Sequence, residues 1–199
     1  DNLTSVGGYL GIYGNYALTN LTGLGNVMTI GENLSISQNS HLTSLTGLDN
    51  LTSIGGILSI YDNDALTSLT GMDNLISIGE YLSIYGNYAL TSLTGMDNLT
   101  SIEGFIWIRH NHALTSLTWL GNVTTIGGEI RISYNDALTS LTGLDNIDEA
   151  SIVNLSIINN TQLSTCEVQS ICNYIADPSG PVTINNKATG CNSVEEVDA

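Results

Sequence analysis

Asparagine and leucine return every 24 residues through most of this chain. One asparagine and the leucine three residues after it recur together, at Asn15, Asn39, Asn63, Asn87, Asn111, Asn135 and at Leu18, Leu42, Leu66, Leu90, Leu114, Leu138. A second asparagine series runs through Asn26, Asn50, Asn74, Asn98, Asn122 and Asn146. A constant period of this length predicts a solenoid, in which each copy forms one turn and packs only against its neighbours.

Each copy contains two hydrophobic patterns. The first is L-x-I-x-x-N, as in residues 58–63, and its alternation predicts a short strand with the leucine and isoleucine side chains inward. The second is a spacing of three residues, which no long helix has, at Leu42, Leu45, Leu48, Leu51 and Ile54. We interpret this second pattern as short extended or tightly turned segments, which could include two more brief strands. The pairs Gly7-Gly8 and Gly55-Gly56 precede the strand, so we expect a corner with positive φ there.

Both asparagine series are expected to point inward. A buried amide at a corner can bond backbone groups that lack a partner in the strand ladder, and neighbouring amides can bond each other. The N-x-T sequons at Asn50 and Asn98 fall in the second series, so we do not expect glycosylation there. Near residues 148–150 the repeat slips by one residue, and a last turn follows with Leu155, Ile157, Asn160 and Leu163.

The C-terminal segment departs from the repeat. Residues 167–175 have helical hydrophobic spacing, the Pro178 to Pro181 stretch ends that pattern, and residues 182–184 read as a closing strand. A solenoid needs a cap to shield its last core layer and its strand edge. We therefore divide the chain into a repeat solenoid, residues 1–163, and a C-terminal cap, residues 164–199.

The cysteines all lie in this cap segment, at Cys166, Cys172 and Cys191. An odd number suggests one disulfide among them, with the partner of the third cysteine beyond Ala199. Such a disulfide would staple the cap and indicates an oxidising, extracytoplasmic setting. The alternative is three buried thiols.

Charge restricts the partners. The formal net charge is −16, with only three lysines and arginines, so we expect no nucleic-acid partner and no anionic membrane partner. No apolar run approaches the roughly 18 residues that a membrane span needs. The chain shows no signal peptide and begins inside a repeat, so we expect a mature fragment or a trimmed chain.

The copies resemble leucine-rich repeats, whose strand reads L-x-x-L-x-L-x-x-N, and more closely the receptor L-domain-like variety with I-G-G-x-L-x-I-x-x-N, seen here at residues 54–63. The segments LTSLTGLDNLTSIGG at 42–56 and CEVQSICNYIADPSG at 166–180 are similar to segments of secreted cell-surface proteins of Bacteroidetes-type bacteria. The resemblance covers about residues 3–163. It implies an all-β, right-handed solenoid of 24-residue turns with a small helix-containing cap. It also implies an exported, bacterial protein and supplies no catalytic residue.

The outward positions of the L-x-I-x-x-N strands differ from turn to turn, and we call them, with the residues just before and after each strand, the variable face. They hold most of the tyrosines, the only phenylalanine, and both arginines. Tyr, Trp and Arg carry much of the binding energy at recognition sites. We therefore predict ligand-binding residues at Tyr13, Tyr16, Tyr61, Tyr81, Tyr85, Tyr88, Phe105, Trp107, Arg109, His110, His112, Arg131 and Tyr134. The alternative is that strand surfaces favour aromatic residues without any ligand. We also expect Arg131 to lie over the Trp107 ring.

Threonines form two regular series, which we call the threonine columns: Thr19, Thr43, Thr67, Thr91, Thr115, Thr139 and Thr22, Thr46, Thr70, Thr94, Thr118, Thr142. Such ranks resemble those of β-solenoid ice-binding proteins, in which methyl and hydroxyl groups at fixed spacing order water. This gives a rival function. The alternative without a function is that threonine suits an extended backbone and that duplication has kept the copies alike.

Other candidate chemistry is weaker. Asp49, Asp73, Asp97 and Asp145 form a partial acidic column that could hold a cation such as Ca²⁺, although we expect these side chains to bond N–H groups of tight turns instead. His110 and His112 should both face outward if the strand stays extended, but with Asp136 and Asp64 they do not supply a convincing third metal ligand. We predict no metal and no cofactor.

We predict a secreted or cell-surface, non-catalytic binding or adhesion module that meets a protein or a polysaccharide through the variable face. Ice binding is the first alternative. A polysaccharide-degrading β-helix enzyme is the second, since Arg109, Arg131 and Asp136 could imitate the basic residue and carboxylates of such lyases. No nucleophile elbow, phosphate loop or H-E-x-x-H motif is present in the sequence.

Overall fold

The computed structural model describes residues 2–185, 189, 191 and 193–197. It confirms the predicted all-β solenoid, because the L-x-I-x-x-N copies form strands that stack in parallel in one eight-stranded sheet. The strands of this sheet, in spatial order, are β2 (Leu10–Tyr13), β4 (Leu34–Ser37), β6 (Leu58–Tyr61), β8 (Leu82–Tyr85), β10 (Ile106–Arg109), β12 (Glu129–Ser133), β13 (Asn154–Ile158) and β14 (Val182–Asn185).

The pattern with a spacing of three residues forms one brief strand per turn, not two. These strands make a six-stranded parallel sheet: β1 (Ser5–Val6), β3 (Thr29–Ile30), β5 (Ser53–Ile54), β7 (Ser77–Ile78), β9 (Ser101–Ile102) and β11 (Thr125–Ile126). The rest of the pattern is tight turns, with short 3-10 helices at Thr22–Leu24 and Thr118–Asn122. The same bonds recur in each turn: the Leu48 N–H donates to the Leu45 carbonyl three residues back, whereas the Leu45 N–H donates to the Thr70 carbonyl of the next turn.

Equivalent residues pair directly from turn to turn. Leu58 pairs with Leu34 on one side and Leu82 on the other, and Ile60 pairs with Ile36 and Ile84 in the same way. Leu58 and Ile60 are fully buried, as the alternation predicted. Because every layer presents the same side chains, the core is one continuous stack of leucine and isoleucine.

The first asparagine series forms a buried chain of hydrogen bonds, which we call the asparagine ladder. The Asn87 Oδ1 accepts from the backbone N–H and the side-chain amide of Asn63, at 3.1 and 3.2 Å. The Asn87 Nδ2 donates to the carbonyls of Ile60 and Tyr85 and to Asn111 Oδ1. The prediction for this series is confirmed: the amides satisfy corner groups that the strand ladder leaves unpaired.

The prediction that the second asparagine series points inward is wrong. Asn50 and Asn98 are exposed, and each amide donates across the surface to a carbonyl of the preceding turn, for example from Asn98 to Asp73 at 2.6 Å. A period of 24 residues shows that positions are equivalent, but it does not show which side of the backbone they occupy. The burial argument against glycosylation of Asn50 and Asn98 therefore fails.

The prediction that the Gly-Gly pairs before the strands have positive φ is also wrong. Positive φ occurs in the turns at Gly47, Gly71, Gly95 and Gly143, with φ from 110 to 113°, and not at Gly55 or Gly56. A Cβ on Gly95 would lie 2.3 Å from the carbonyl oxygen of Leu69 in the previous turn. The Gly95 N–H donates to the carboxylate of Asp97, and three other turns repeat this bond. The turn role predicted for the acidic column is thus confirmed.

The C-terminal end closes the stack. A 3-10 helix, Glu149–Ser151, absorbs the extra residue of the slipped repeat, and Asn160 still joins the asparagine ladder. Helix α1 (Gln169–Ala176) and a short helix α2 (Val194–Val197) follow, and β14 adds the last strand of the larger sheet. Cys166 and Cys191 form the disulfide, and the Cys172 thiol contacts the Val197 carbonyl. The division of the chain at residue 163 stays a prediction.

Candidate binding face

The variable face is positioned by strand alternation and by a turn that follows each strand. In β8 the side chains of Leu82 and Ile84 are buried, so those of Ser83 and Tyr85 point away from the core. The residue directly before each asparagine of the ladder lies in the left-handed region, with φ 56° at His110 and 58° at Tyr134. The strand therefore does not stay extended through His110. The prediction that His110 and His112 both face outward assumed an extended strand, and this assumption is wrong.

Three aromatic rings stack on the sheet. The Tyr81 and Phe105 ring centroids are 4.1 Å apart with planes 14° apart, because the two residues occupy the same position in neighbouring turns. The Trp107 ring, on the same strand face as Phe105, packs at 4.3 Å from it. The Trp107 Nε1 donates to the Glu129 carboxylate of the next turn at 3.0 Å. Phe105 and Trp107 are only half-exposed, so they hold this surface in a fixed shape.

Arg109 extends this stack. Its guanidinium lies 4.8 Å from the Trp107 ring centroid and 5.7 Å from that of Tyr85, so it is held between two rings. We expected Arg131 to cover Trp107, and this was wrong. Arg131 pairs with Trp107 in the strand register, but Arg109, two residues along the same strand, reaches back over the ring.

A second group of rings lies at the corner after the strands. His110 stacks on Tyr134 at 4.5 Å and meets the edge of Tyr85 at 5.3 Å. His112 stacks on Tyr88 at 5.7 Å, and its Nδ1 is 2.6 Å from the Asp136 carboxylate. Of the corner rings, Tyr88 is the most exposed of the tyrosines, at 55%. The corner therefore offers the exposed ring surface that the half-buried sheet rings do not.

Two titratable side chains near this surface, His110 and Asp62, have shifted pKa values. Partial burial, with smaller contributions from the charges of His112 and Arg109, lowers the pKa of His110 below its ordinary value. Partial burial, together with the neighbouring charge of Asp64, raises the pKa of Asp62. His110 is consequently a neutral ring over most of the physiological pH range, and a neutral ring stacks without repelling Arg109.

The other three predicted residues lie on the N-terminal side of this cluster. Tyr13 and Tyr16 belong to the first turn and are exposed, and Tyr61 pairs in register with Tyr85 at the edge of the cluster. Tyr16 lines an open depression of about 280 Å³ together with Gln38, Ser40, Asp62 and Asp64. The structure thus brings together ten of the predicted residues in three successive turns and their neighbours, and leaves the three N-terminal tyrosines outside that group.

A groove borders the cluster on its C-terminal side. It has a volume of about 340 Å³ and is lined by Glu129, Arg131, Asn154, Leu155, Ser156, Ile158, Pro181 and Thr183. It forms because Trp107 and Arg131 are followed in the same register by the small residues Ser156 and Thr183. Glu129 and Asn154 were not among the predicted binding residues. Glu129 could have been found from its alignment with Phe105, one turn earlier.

The threonine columns lie on a different side of the solenoid, and all twelve threonines are exposed. In the first column the hydroxyl of one threonine donates to the carbonyl of the threonine one turn before, as from Thr91 to Thr67 at 3.3 Å. In the second column the hydroxyls from Thr46 onward bond a serine two residues away, as Thr70 does with Ser68 at 2.9 Å, and the Thr22 hydroxyl bonds the Asn20 side chain. Trp119 interrupts the neighbouring glycine series and is itself buried in the 3-10 helix Thr118–Asn122.

Within the residues that the structure describes, no group of three histidine, cysteine or acidic side chains is placed to hold a metal ion. In the same part of the chain, no helix has both the length and the apolar character that crossing a bilayer requires.

The parallel leucine turns, the asparagine ladder and the changing outer face together define a leucine-rich-repeat solenoid. Six copies of the family model described as BspA type leucine rich repeat region match the chain, over residues 9–139 and 58–179. The chain belongs to this BspA-type leucine-rich-repeat family, which confirms the family suggested by the sequence. No curated protein and no solved structure matches the chain at a significant level.

Membership of this family indicates a general kind of function and location. Leucine-rich repeats of this type are in general non-catalytic modules for binding or adhesion, and BspA-type proteins are typically bacterial surface or secreted proteins. The ligand and the residues that meet it do not follow from the family and have to be argued from the variable face of this chain.

Proposed function

We propose that this protein is a secreted or cell-surface binding module whose ligand, a protein or a polysaccharide, contacts the variable face between Tyr81 and Tyr134. The observation that carries the proposal is the concentration of contacting rings and both arginines in these turns of a repeat whose interior does not change. Strand propensity alone explains isolated aromatic residues, but it does not explain a guanidinium held between two rings beside a groove.

The rigidity of this surface supports binding. Phe105 and Trp107 are fixed by each other, by Tyr81 and by the Glu129 carboxylate, so little side-chain entropy remains to be lost when a ligand arrives. The exposed rings Tyr85, Tyr88 and Tyr134 flank them. An anchored centre with exposed rings around it is the arrangement in which a few residues dominate affinity.

The test is a binding screen on printed glycans and on immobilised extracellular proteins. Wild-type protein is compared with Trp107→Ala, and Tyr13→Ala serves as the matched control because it removes an exposed ring four turns away. We expect the bound signals to fall in Trp107→Ala and to persist in Tyr13→Ala. Equal signals from all three proteins would remove the variable face as the site.

Ice binding is a second candidate, supported by the exposure of all twelve threonines in two regular columns. Neighbouring turns are separated by about 4.8 Å, so each column is a regular rank of methyl groups. Most of the hydroxyls, however, already bond carbonyls, serines or an asparagine side chain. Measured thermal hysteresis that disappears in Thr67→Tyr and Thr91→Tyr would establish this function. Undiminished activity in Thr67→Tyr would exclude the columns as the agent.

A further inference from the structure

The two arginines of the variable face lack the partners that arginines in folded proteins usually have. In the part of the chain that the structure describes, neither the Arg109 nor the Arg131 guanidinium forms an ion pair or a hydrogen bond, and the Nε of each is buried without a partner. The one ion pair among those residues joins His112 to Asp136. In a chain of net charge −16, with carboxylates in the same turns as both arginines, two unpaired guanidinium groups on the same face are an unusual combination.

The geometry of Arg109 suits a carboxylate. Its plane is held between Trp107 and Tyr85, and this leaves its terminal N–H groups available to an incoming acceptor. Arg131 lies diagonally across from it, on the next strand of the same sheet face. A planar guanidinium with a fixed orientation binds a carboxylate through two parallel hydrogen bonds and loses little entropy in doing so. An anion between the arginines would also relieve their mutual repulsion.

The neighbouring groove suits sugar hydroxyls. Beside Arg131 it presents the amide of Asn154, the hydroxyls of Ser156 and Thr183, and the carboxylate of Glu129, all of which can bond hydroxyl groups. Its volume of about 340 Å³ lies at the small end of ligand clefts, the size of a short oligosaccharide segment. Trp107 does not line the groove, but it pairs in register with Arg131 and bonds Glu129, so its ring lies beside the groove, where the apolar face of a sugar can pack.

The overall charge excludes a dense polyanion. Beyond about 8 Å, salt screens the negative charge of the rest of the protein, but a ligand with many adjacent carboxylates would meet those charges at close range. One carboxylate among neutral sugars can lie at the two arginines while a neutral hydroxyl, and not a second carboxylate, meets Glu129. Building on the proposed function, we infer that the ligand is a glycan bearing an isolated acidic sugar, with its carboxylate at Arg109 and Arg131 and its neighbouring sugar in the groove.

An acidic peptide is the competing ligand class, and the position of the groove disfavours it. Five of the eight residues that line the groove are polar or charged, and only Leu155, Ile158 and Pro181 are apolar. The lining therefore offers little apolar surface to the side chains of a peptide. Extended peptides also bind sheets by pairing with an open strand edge, whereas this groove crosses the outer face of strands that are already paired.

The experiment uses matched pairs of probes in calorimetric titrations. One pair is a glucuronosyl-substituted xylotetraose and unsubstituted xylotetraose, and the other is sialyllactose and lactose, so the two sources of an acidic sugar are distinguished. For at least one pair we expect the acidic member to bind about tenfold or more tightly. Arg131→Gln and Arg109→Gln should remove that difference, Arg131→Lys should restore only part of it, and Tyr13→Ala should leave it unchanged.

Thermal unfolding of each variant shows whether a loss of binding is a loss of folding. Equal affinity of wild-type protein for the acidic and neutral members of both pairs, or no binding of either acidic probe, would overturn the inference. Equal affinity for an acetylated tetraglutamate peptide would overturn the sugar assignment. In each case a ligand found in the binding screen that still depends on Trp107 would leave the proposed function standing, so the two failures are separate.

Discussion

The asparagine ladder and the variable face lie on the same strands, only a few residues apart. Asn63, Asn87 and Asn111 repeat one set of hydrogen bonds in turn after turn, whereas the equivalent outward positions Ser83, Trp107 and Arg131 have different chemistry. Each ladder amide satisfies groups of two neighbouring turns, so a change there damages both neighbours. The Trp107 side chain, by contrast, bonds another side chain, the Glu129 carboxylate. The solenoid therefore fixes its interior and leaves one strip of surface open to change.

The largest effect should come from breaking the ladder. Asn87→Ala leaves the buried Asn63 backbone N–H without its acceptor and removes the amide that donates to the Ile60 carbonyl and to Asn111 Oδ1. Each buried group left unsatisfied costs about 1–3 kcal/mol, so we expect the free energy of unfolding to fall by roughly 3 kcal/mol or more. Urea denaturation measures the change.

Asn98→Ala is the matched control for this prediction. Asn98 has the same side chain and the same period, but it is exposed and makes one bond, to the Asp73 carbonyl. We expect this variant to lose about 1 kcal/mol or less. Equal losses in the two variants would show that burial does not set the difference between the two asparagine series.

The turn glycines should give the next largest effect. Gly95 has φ 110°, a conformation that suits only glycine, and a Cβ there would collide with the Leu69 carbonyl. Gly95→Ala should therefore lower the free energy of unfolding by about 2 kcal/mol or more. Gly23 occupies the same column in the first turn, where a Cβ meets no atom within 4 Å. If Gly23→Ala cost as much in thermal denaturation, close approach and positive φ would not be the cause.

A change on the variable face should cost less. Glu129→Ala removes the acceptor of the Trp107 Nε1–H, which is half-exposed and can bond water instead. We expect a loss of about 1 kcal/mol or less in urea denaturation, with a change in the fluorescence of Trp107. A loss comparable to that of Asn87→Ala would contradict the division between a structural interior and a replaceable surface.

The smallest effect should be a pH dependence at the corner. Because the pKa of His110 is lower in the folded protein, the unfolded chain binds this proton more strongly. The folded state therefore loses stability as the pH falls below about 6.5, and the loss is complete once the pH is below the folded pKa. Between pH 7.5 and 5, wild-type protein should lose slightly more stability than His110→Gln. An identical pH profile would show that His110 does not contribute.

Particular residues show what the sequence could and could not predict. Leu58 and Ile60 were placed correctly because alternation in a strand determines which side chains are buried. Asn50 was misplaced because outside the strand the period alone carries no direction. Arg109 over Trp107 was missed because the register gives the positions of Cα atoms, while the rotamer of a long side chain depends on its neighbours. The groove beside Arg131 required the position of β14, which lies outside the repeat.

The central claim is that the interior of the solenoid is fixed and the variable face is replaceable. The most direct test is to give one turn the outward residues of the preceding turn. In one variant the outward residues of the Trp107 turn are replaced by those of the preceding turn, as Phe105→Tyr, Trp107→Ser, Arg109→Tyr, His110→Gly and His112→Tyr. The melting temperature and the binding of a ligand identified by the screen are then measured together. We predict a melting temperature close to that of wild type and a loss of binding of at least about tenfold. Binding that survives, or a protein that no longer folds, would contradict the separation of a fixed interior from a binding surface.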